Sequence, residues 1–181
     1  MRIELGDYEI RDWTRKDVKA LARYANNRRI AMWLRDRFPC PYTRSDAEAF
    51  LAAVAQQGVR TTFAIATPQE AIGGIGLEFG ADVHRFTAEM GYWLGEPFWG
   101  RGIMTAAVRH FTAWAFQTFE LHRIHATAFA GNRASMRVLE KADFQCEGCL
   151  RASVFKHGRI LDQRLYARIR GGLCEQKENE P

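Results

Sequence analysis

Cysteine is scarce in this sequence, and nothing surrounds it that would put it to use. Cys40, Cys146, Cys149 and Cys174 are the only four among 181 residues. An even count is no disulfide framework in a chain of this size without an export signal. Cys146 and Cys149 form a single C-x-x-C, but no histidine pair follows at finger spacing. The segment reads as a strand, where residues three apart face opposite ways, so no metal site is expected. The five histidines are scattered, with no H-E-x-x-H. No apolar run is long enough to cross a bilayer. The first seven residues hold an early acid and no apolar core, unlike a secretory signal. Repeats and low-complexity tracts are also absent. Membrane-spanning, disulfide-scaffold and fibrous classes are excluded, and a cytoplasmic protein is expected.

What is present suits a globular enzyme-sized domain. The chain is 47% hydrophobic, 12% aromatic and 26% charged, which can bury a core without staples. The formal net charge of +5 favours anionic partners such as phosphorylated cofactors, without choosing among them. One domain over 1–170 is expected, with a frayed tail over 171–181 that has little to bury.

Periodicity orders the chain as β-α-α-β-β-β-α-β-α-β-β. The first strand is expected over Tyr8 to Trp13. A helix follows from Arg15 to about Asn26, with Thr14 and Asp17 as a capping box. A short helical turn covers Arg28 to Leu34, and a further helix runs from Ser45 to Gln57. Strands follow over Thr61 to Ala66, Ala71 to Phe79 and Arg85 to Leu94. After a glycine loop comes a helix to about Phe119. A strand His122 to Phe129, a helix Asn132 to Lys141 and a closing hairpin of Phe144 to Phe155 and Ile160 to Ile169 complete the chain. This is an α/β (α+β) arrangement: a mixed, mostly antiparallel sheet with helices packed on it.

The most informative segment runs from Gly91 to Thr105. A strand ends, Gly95-Glu96-Pro97-Phe98-Trp99-Gly100-Arg101-Gly102 follows, and a helix begins at once. The first N–H groups of a helix have no internal partner, and its dipole makes that end positive. Gly100 and Gly102 let backbone approach an anion, and Arg101 adds charge. That is the make-up of a pyrophosphate cradle, although two glycines by themselves fit a plain turn before an ordinary helix better. Neither the G-x-G-x-x-G nor the Gly-Lys-Ser/Thr nucleotide fingerprint is present, so the phosphates belong to another ligand.

Trp99-Gly100-Arg101-Gly102-Ile103-Met104 resembles the acyl-CoA-binding motif Gln/Arg-x-x-Gly-x-Gly/Ala of the GNAT superfamily of N-acetyltransferases. Trp99 and Met104 depart from it. The Trp99 substitution and Gly91-Tyr92-Trp93-Leu94 resemble the ribosomal-protein-alanine N-acetyltransferase subfamily. A second block, Asn132 to Phe144, resembles Asn-x-x-Ser-x-x-x-Leu-Glu-Lys-x-Gly-Phe, with Asp143 in the glycine's place. If that position is left-handed, Asp is a tolerable second choice. The resemblance spans Tyr8 to about Ile169.

It implies a single-domain GNAT fold whose strands 89–94 and 122–129 splay apart to admit pantetheine. Tyr92, Trp93 and Leu94 would supply backbone groups there, with an amide of this stretch, assigned to Leu94, polarising the thioester carbonyl. Trp99, Gly100, Arg101, Gly102, Ile103, Met104 and Thr105 would bind the cofactor's phosphate end, and Asn132 its pantetheine. No metal is implied. The tyrosine that often protonates the thiolate is replaced by Leu139, and a glutamate base found in some relatives by Thr127. Ser135, one turn from Asn132, could hydrogen-bond the sulfur. Glu89 could take the amine's proton through water, or be a solvent-facing strand acid. Trp33, Phe38, Tyr42 and Phe50 lie where relatives often wall the acceptor site, with core packing the commoner role for any one of them. Arg28, Arg29, Arg35 and Arg37 make that region basic, either to attract an acidic acceptor or as a solvated face.

The expected activity is acetyl transfer from acetyl-CoA to a primary amine, with a protein N-terminus as first acceptor. A polyamine, amino acid or antibiotic is the alternative. The rival class is a non-catalytic CoA- or RNA-binding module. Against RNA stands the lack of an RNP-like strand interleaving aromatic and basic residues. The resemblance also allows a homodimer, which no residue selects.

Overall fold

The computed structural model describes residues 1–171. The expected frayed tail, apart from Gly171, and Cys174 lie outside the described residues. In chain order the elements are β1 (Arg2–Leu5), β2 (Tyr8–Arg11), α1 (Val18–Ala25), α2 (Arg28–Ala31), α3 (Arg44–Ala55), β3 (Thr62–Ala66), β4 (Ala71–Phe79), β5 (Thr87–Leu94), α4 (Ile103–Thr118), β6 (Arg123–Phe129), α5 (Arg133–Lys141), β7 (Gln145–Lys156) and β8 (Arg159–Ile169).

β1 departs from the expected order. Leu5 and Tyr8 close a hairpin whose two-residue turn needs Gly6 at φ +71°. The strand expected to run to Trp13 therefore starts as the return arm of that hairpin and stops at Arg11. The first helix also starts late: Arg15–Asp17 is a 3-10 turn, and α1 begins at Val18.

The strands form one sheet in the order β1-β2-β3-β4-β5-β6-β8-β7. Every neighbouring pair is antiparallel except β5–β6. α4 drives Phe111, Val108, Ala107 and Ala115 into the main core with Ile65, Ile75 and Ile124. Phe63, Phe111 and Trp114 close that core as an aromatic triangle with centroids 5.3 to 5.7 Å apart. Leu21, Ala25, Tyr42, Ala47 and Leu51 form a second core, where α1 and α3 pack with Trp13, Phe50 and Trp93. Asp143 does take the left-handed conformation, at φ +65°, just past α5.

Asp17 fixes how α1 leaves the sheet. Its side chain is nearly buried, and Arg11 of β2 grips both oxygens at 2.8 and 2.9 Å. The Thr14 N–H and hydroxyl donate to the same carboxylate at 2.8 and 2.9 Å. Burial works to raise the Asp17 pKa, but these donors more than offset it and hold the carboxyl below its ordinary range. A lowered carboxylate pKa stabilises the fold above the unfolded value of about 3.9, and that contribution is lost as pH falls through the folded value. Asp17→Asn, which removes the bidentate partner and leaves Arg11 only the Glu9 carboxylate 3.6 Å away, should cost about 3 kcal/mol near pH 7. In urea titrations the gap between wild type and variant should close below about pH 4. A gap that persists there would show that ionisation of Asp17 is not what stabilises this junction.

Candidate active site

β5 and β6 pair over three residues and then part. Thr87↔Arg123, Ala88↔Ile124 and Glu89↔His125 are in register, while β5 continues to Leu94 and β6 to Phe129. Each departing half is held on its other side. β5 stays paired with β4 as far as Leu94↔Gly73, and β6 stays with β8 as far as Phe129↔Gln163. A wedge therefore opens in the middle of the sheet.

The pleat decides what faces the wedge. The N–H of Gly95 bonds the carbonyl of Ile72, and the N–H of Gly80 bonds that of Thr87. Antiparallel alternation then turns the backbone of Gly91 and Trp93 toward β4, and that of Tyr92 and Leu94 toward the wedge. Trp93, expected to offer backbone groups, pairs with Gly74 instead. Its indole lies on the α1–α3 side, 5.8 Å from the Phe38 ring. A Cβ on Gly74 would come within 2.9 Å of that indole, so glycine is needed there to seat it.

At the end of β5 the chain makes a 3-10 turn over Glu96–Phe98 and enters α4 through Trp99-Gly100-Arg101-Gly102. Gly100 and Gly102 sit at φ +75° and +76°. The first closing bond of α4 is the Ala106 N–H to the Gly102 carbonyl, so the N–H groups of Ile103, Met104 and Thr105 lie in the open first turn. Met104 is compatible with that role because its side chain is buried in the core beneath the helix while its amide stays at the end. The Trp99 indole N–H donates to the Leu94 carbonyl at 2.7 Å and ties the loop to the strand. Asn27 and Arg29 of the α2 region hold Glu96 from the other side.

α5 closes the far wall. Asn132 caps it, its Oδ1 accepting the Ser135 N–H at 3.2 Å. The Ser135 hydroxyl lies 2.8 Å from the Tyr92 hydroxyl. Burial pushes the Tyr92 pKa above the ordinary phenol value, against the pull of that hydrogen bond, so the group keeps its proton. This pair was not legible in the sequence, because it joins residues 43 positions apart. Arg133, Arg137 and Lys141 were also missed. They share one face of α5 at spacings of four, and all three line the same cleft.

On the opposite face of β5, Glu89 is not free. It accepts from the Thr127 hydroxyl at 3.3 Å and from Arg35, which also bonds Glu78. Both carboxylates are directly opposed across β4 and β5. Burial alone would raise Glu78, but Arg37 and Arg35 hold its carboxyl below the usual range.

One cleft of about 1460 Å³ contains Glu89, Tyr92, Trp93, Leu94, Trp99, Gly100, Gly102, Ile103, Met104, Thr105, Asn132 and Ser135. Arg101 is exposed and lies outside this lining, its guanidinium 5.7 Å from the Phe98 ring. Trp33, Phe38, Tyr42 and Phe50 all line the cleft, and Tyr42 is at the same time buried in the second core with Phe38 and Phe50 packed against it. Among the described residues no group of three His, Cys, Asp or Glu is placed to hold a metal. Cys40, Cys146 and Cys149 are free thiols. The expected opposite facing of Cys146 and Cys149 is corrected by a bulge between Cys146 and Gly148. They oppose Tyr166 and Arg164, two residues apart on β8, and so share a face.

The family model for the acetyltransferase (GNAT) domain matches residues 8–145. The chain belongs to that family. Among curated relatives, the GNAT domain is 46% identical over 81 residues to a Bacillus subtilis protein named "Probable N-acetyltransferase YjcK", covering 45% of each chain. It is 34% identical over 114 residues to the ribosomal-protein-serine acetyltransferase of Escherichia coli strain K12, covering 63% of each. The chain thus matches about half the length of the first relative and under two thirds of the second. A solved ribosomal L7/L12 alpha-N-protein acetyltransferase in complex with coenzyme A superposes with a TM-score of 0.82 at 23% identity, over 93% of this chain and 98% of that one. At that identity the likeness is one of fold.

The GNAT loop geometry carries a stability prediction. Gly102→Val places a β-branched side chain at φ +76° and should cost about 1–2 kcal/mol. The urea midpoint should fall with the slope unchanged. An unchanged midpoint would show that the loop relaxes out of the left-handed conformation freely.

Proposed function

We propose that this GNAT domain transfers acetyl from acetyl-CoA to a primary amine, with a protein N-terminus as acceptor. The observation that carries the reading is the placement of two kinds of open backbone group in one cleft: the first-turn N–H groups of α4, and on β5 the wedge-facing groups of Tyr92 with the N–H of Leu94, whose carbonyl is taken by Trp99. Together they suit a ligand with phosphates at one end and an amide-rich arm at the other. The helix end, Gly100 and Gly102 would hold the pyrophosphate, since the backbone there is bare of Cβ atoms. Arg133, Arg137 and Lys141 would lie along the phosphorylated end. The Nδ2 of Asn132 would remain for the pantetheine, its Oδ1 being engaged in capping. The likeness to a fold neighbour solved with coenzyme A supports this.

At the reacting end, Leu94 would donate its N–H to the thioester oxygen. The amine nitrogen forms its bond to the carbonyl carbon as the carbon–sulfur bond breaks. Ser135 would give its hydroxyl proton to the departing sulfur and regain one from Tyr92, and the proton that the nitrogen sheds as the amide forms would return to Tyr92 through water. Glu89 would accept the ammonium proton through water. The name of the Escherichia coli relative, a ribosomal-protein-serine acetyltransferase, supports a protein acceptor, and an acceptor on the ribosome would place the protein in the cytoplasm.

Calorimetric titration should give micromolar acetyl-CoA binding, weakened about tenfold by Gly102→Val, in keeping with the strain expected at that position. Absence of binding by the wild type would overturn the reading. With a peptide carrying a free N-terminal serine, thiol release should fall about 10²-fold in kcat for Ser135→Ala while acetyl-CoA affinity is unchanged. Tyr92→Phe should fall less, because water can replace the relay. A small polyamine acetylated in preference to the peptide would move the acceptor assignment to small molecules.

A further inference from the structure

The segment Leu34–Phe38, between α2 and α3, reaches into the cleft from one side and is tethered on the other. Arg35 bonds Glu89 and Glu78, and Arg37 bonds Glu78. Asp36, between them in sequence, points away from the cleft to Lys156 near the tip of the β7–β8 hairpin, at 2.7 Å. The two ends of that last pair differ sharply: the Lys156 side chain is 7% exposed and that of Asp36 80%. A nearly buried ammonium needs its partner, so this contact anchors the segment rather than decorating it.

On the cleft side, Arg35 lies against Glu89, the carboxylate assigned above to the amine's proton. Glu89 is the last residue of β5 paired with β6 before the wedge opens. The next residue on the same face is Gly91, where a Cβ would meet nothing within 4 Å. Beside Glu89, then, the floor of the cleft is empty, and the nearest cation is the guanidinium of Arg35. Direct opposition of Glu78 and Glu89 places two like charges together, a repulsive arrangement that a cation between them relieves. Arg35 now plays that part.

We propose that Leu34–Phe38 is a strap that keeps the Arg35 guanidinium in the acceptor's place at Glu89, and that an acceptor amine enters by displacing it. This deepens the acetyl-transfer reading and rests on it. Arg35 is a competitor for the site and Asp36 a positioning residue that acts through it. No bond is made or broken in the exchange: one cation replaces another against the carboxylates, and the freed guanidinium moves out to solvent, where Arg35 is already half exposed.

The test uses the full chain with coenzyme A bound and n-propylammonium as the amine probe, followed by the carboxylate carbon signals of glutamate-labelled protein. Glu89→Gln assigns the Glu89 signal by its loss. Arg35→Met, which keeps the stem and removes the charge, should bind the probe about fivefold more tightly than wild type, as expected for loss of one partly exposed competing ion pair. The perturbation should centre on Glu89. Asp36→Asn should tighten binding in the same direction without touching the site, and Arg35→Lys should restore weak binding. A damaged fold cannot produce tighter binding, so the sign separates the strap from a structural defect. Unchanged, weaker or undetectable probe binding in Arg35→Met would overturn the proposal, as would a perturbation away from Glu89. Acetyl-CoA titration of the same samples separates the two failures. If acetyl-CoA binds and the amine result fails, the strap alone is wrong; if acetyl-CoA does not bind, the underlying reading falls.

Discussion

Past Glu89 and His125, β5 and β6 stop exchanging hydrogen bonds, and the backbone groups they would have shared are left for something else. An interior pair of strands cannot part in this way unless each is held from outside. β4 holds β5 along its length, and β8 holds β6. The antiparallel halves of the sheet are thus two hydrogen-bonded plates joined along a three-residue parallel seam, and the cleft follows from their divergence. Everything chemical in the site is arranged along that line. The α4 loop caps one end, α5 lines one wall, and the aromatic cluster over α1 and α3 lines the other.

Alternation along β5 then assigns its residues to two separate tasks. Tyr92 and Leu94 face the wedge with their backbone, and Tyr92 sends its ring toward α5 and Ser135. Glu89, Gly91 and Trp93 face the other side, where Arg35 and Phe38 come down on them. A shift of one residue in register would exchange the two sets. The regular pairing of β4 with β5 over seven positions prevents it. Glycine at position 74 lets Trp93 lie flat in that pairing, because any Cβ there would collide with the indole.

Departures from the family motif are absorbed by neighbouring structure. Met104 replaces a small residue, yet its side chain joins the core and leaves its amide at the helix end. Trp99 replaces a polar residue and uses its one donor to bind the strand it follows. Leu139 stands where a tyrosine is common and is wholly buried. A phenol is nonetheless present beside Ser135, supplied by β5 instead of α5.

Much of this was legible in the amino-acid order. The bounds of β3, β4, α4 and β8 are local matters of apolar period and of turn and cap residues, as is the Thr14 cap, and the structure keeps them within a residue or two. The glycine loop was readable because positive φ and an uncapped helix start are properties of a few adjacent residues. β1 escaped because a four-residue strand has too short a period to register and is secured by the turn at Gly6. The shared face of Cys146 and Cys149 escaped because a bulge inserts one residue and inverts the parity on which facing depends. What tertiary structure alone decided are the contacts across long sequence separations: Tyr92 with Ser135, Glu89 with Arg35, Asp36 with Lys156. Local physics fixes where a strand or helix begins and ends. Which side chains meet depends on how plates and helices pack, and no nearby residue encodes that.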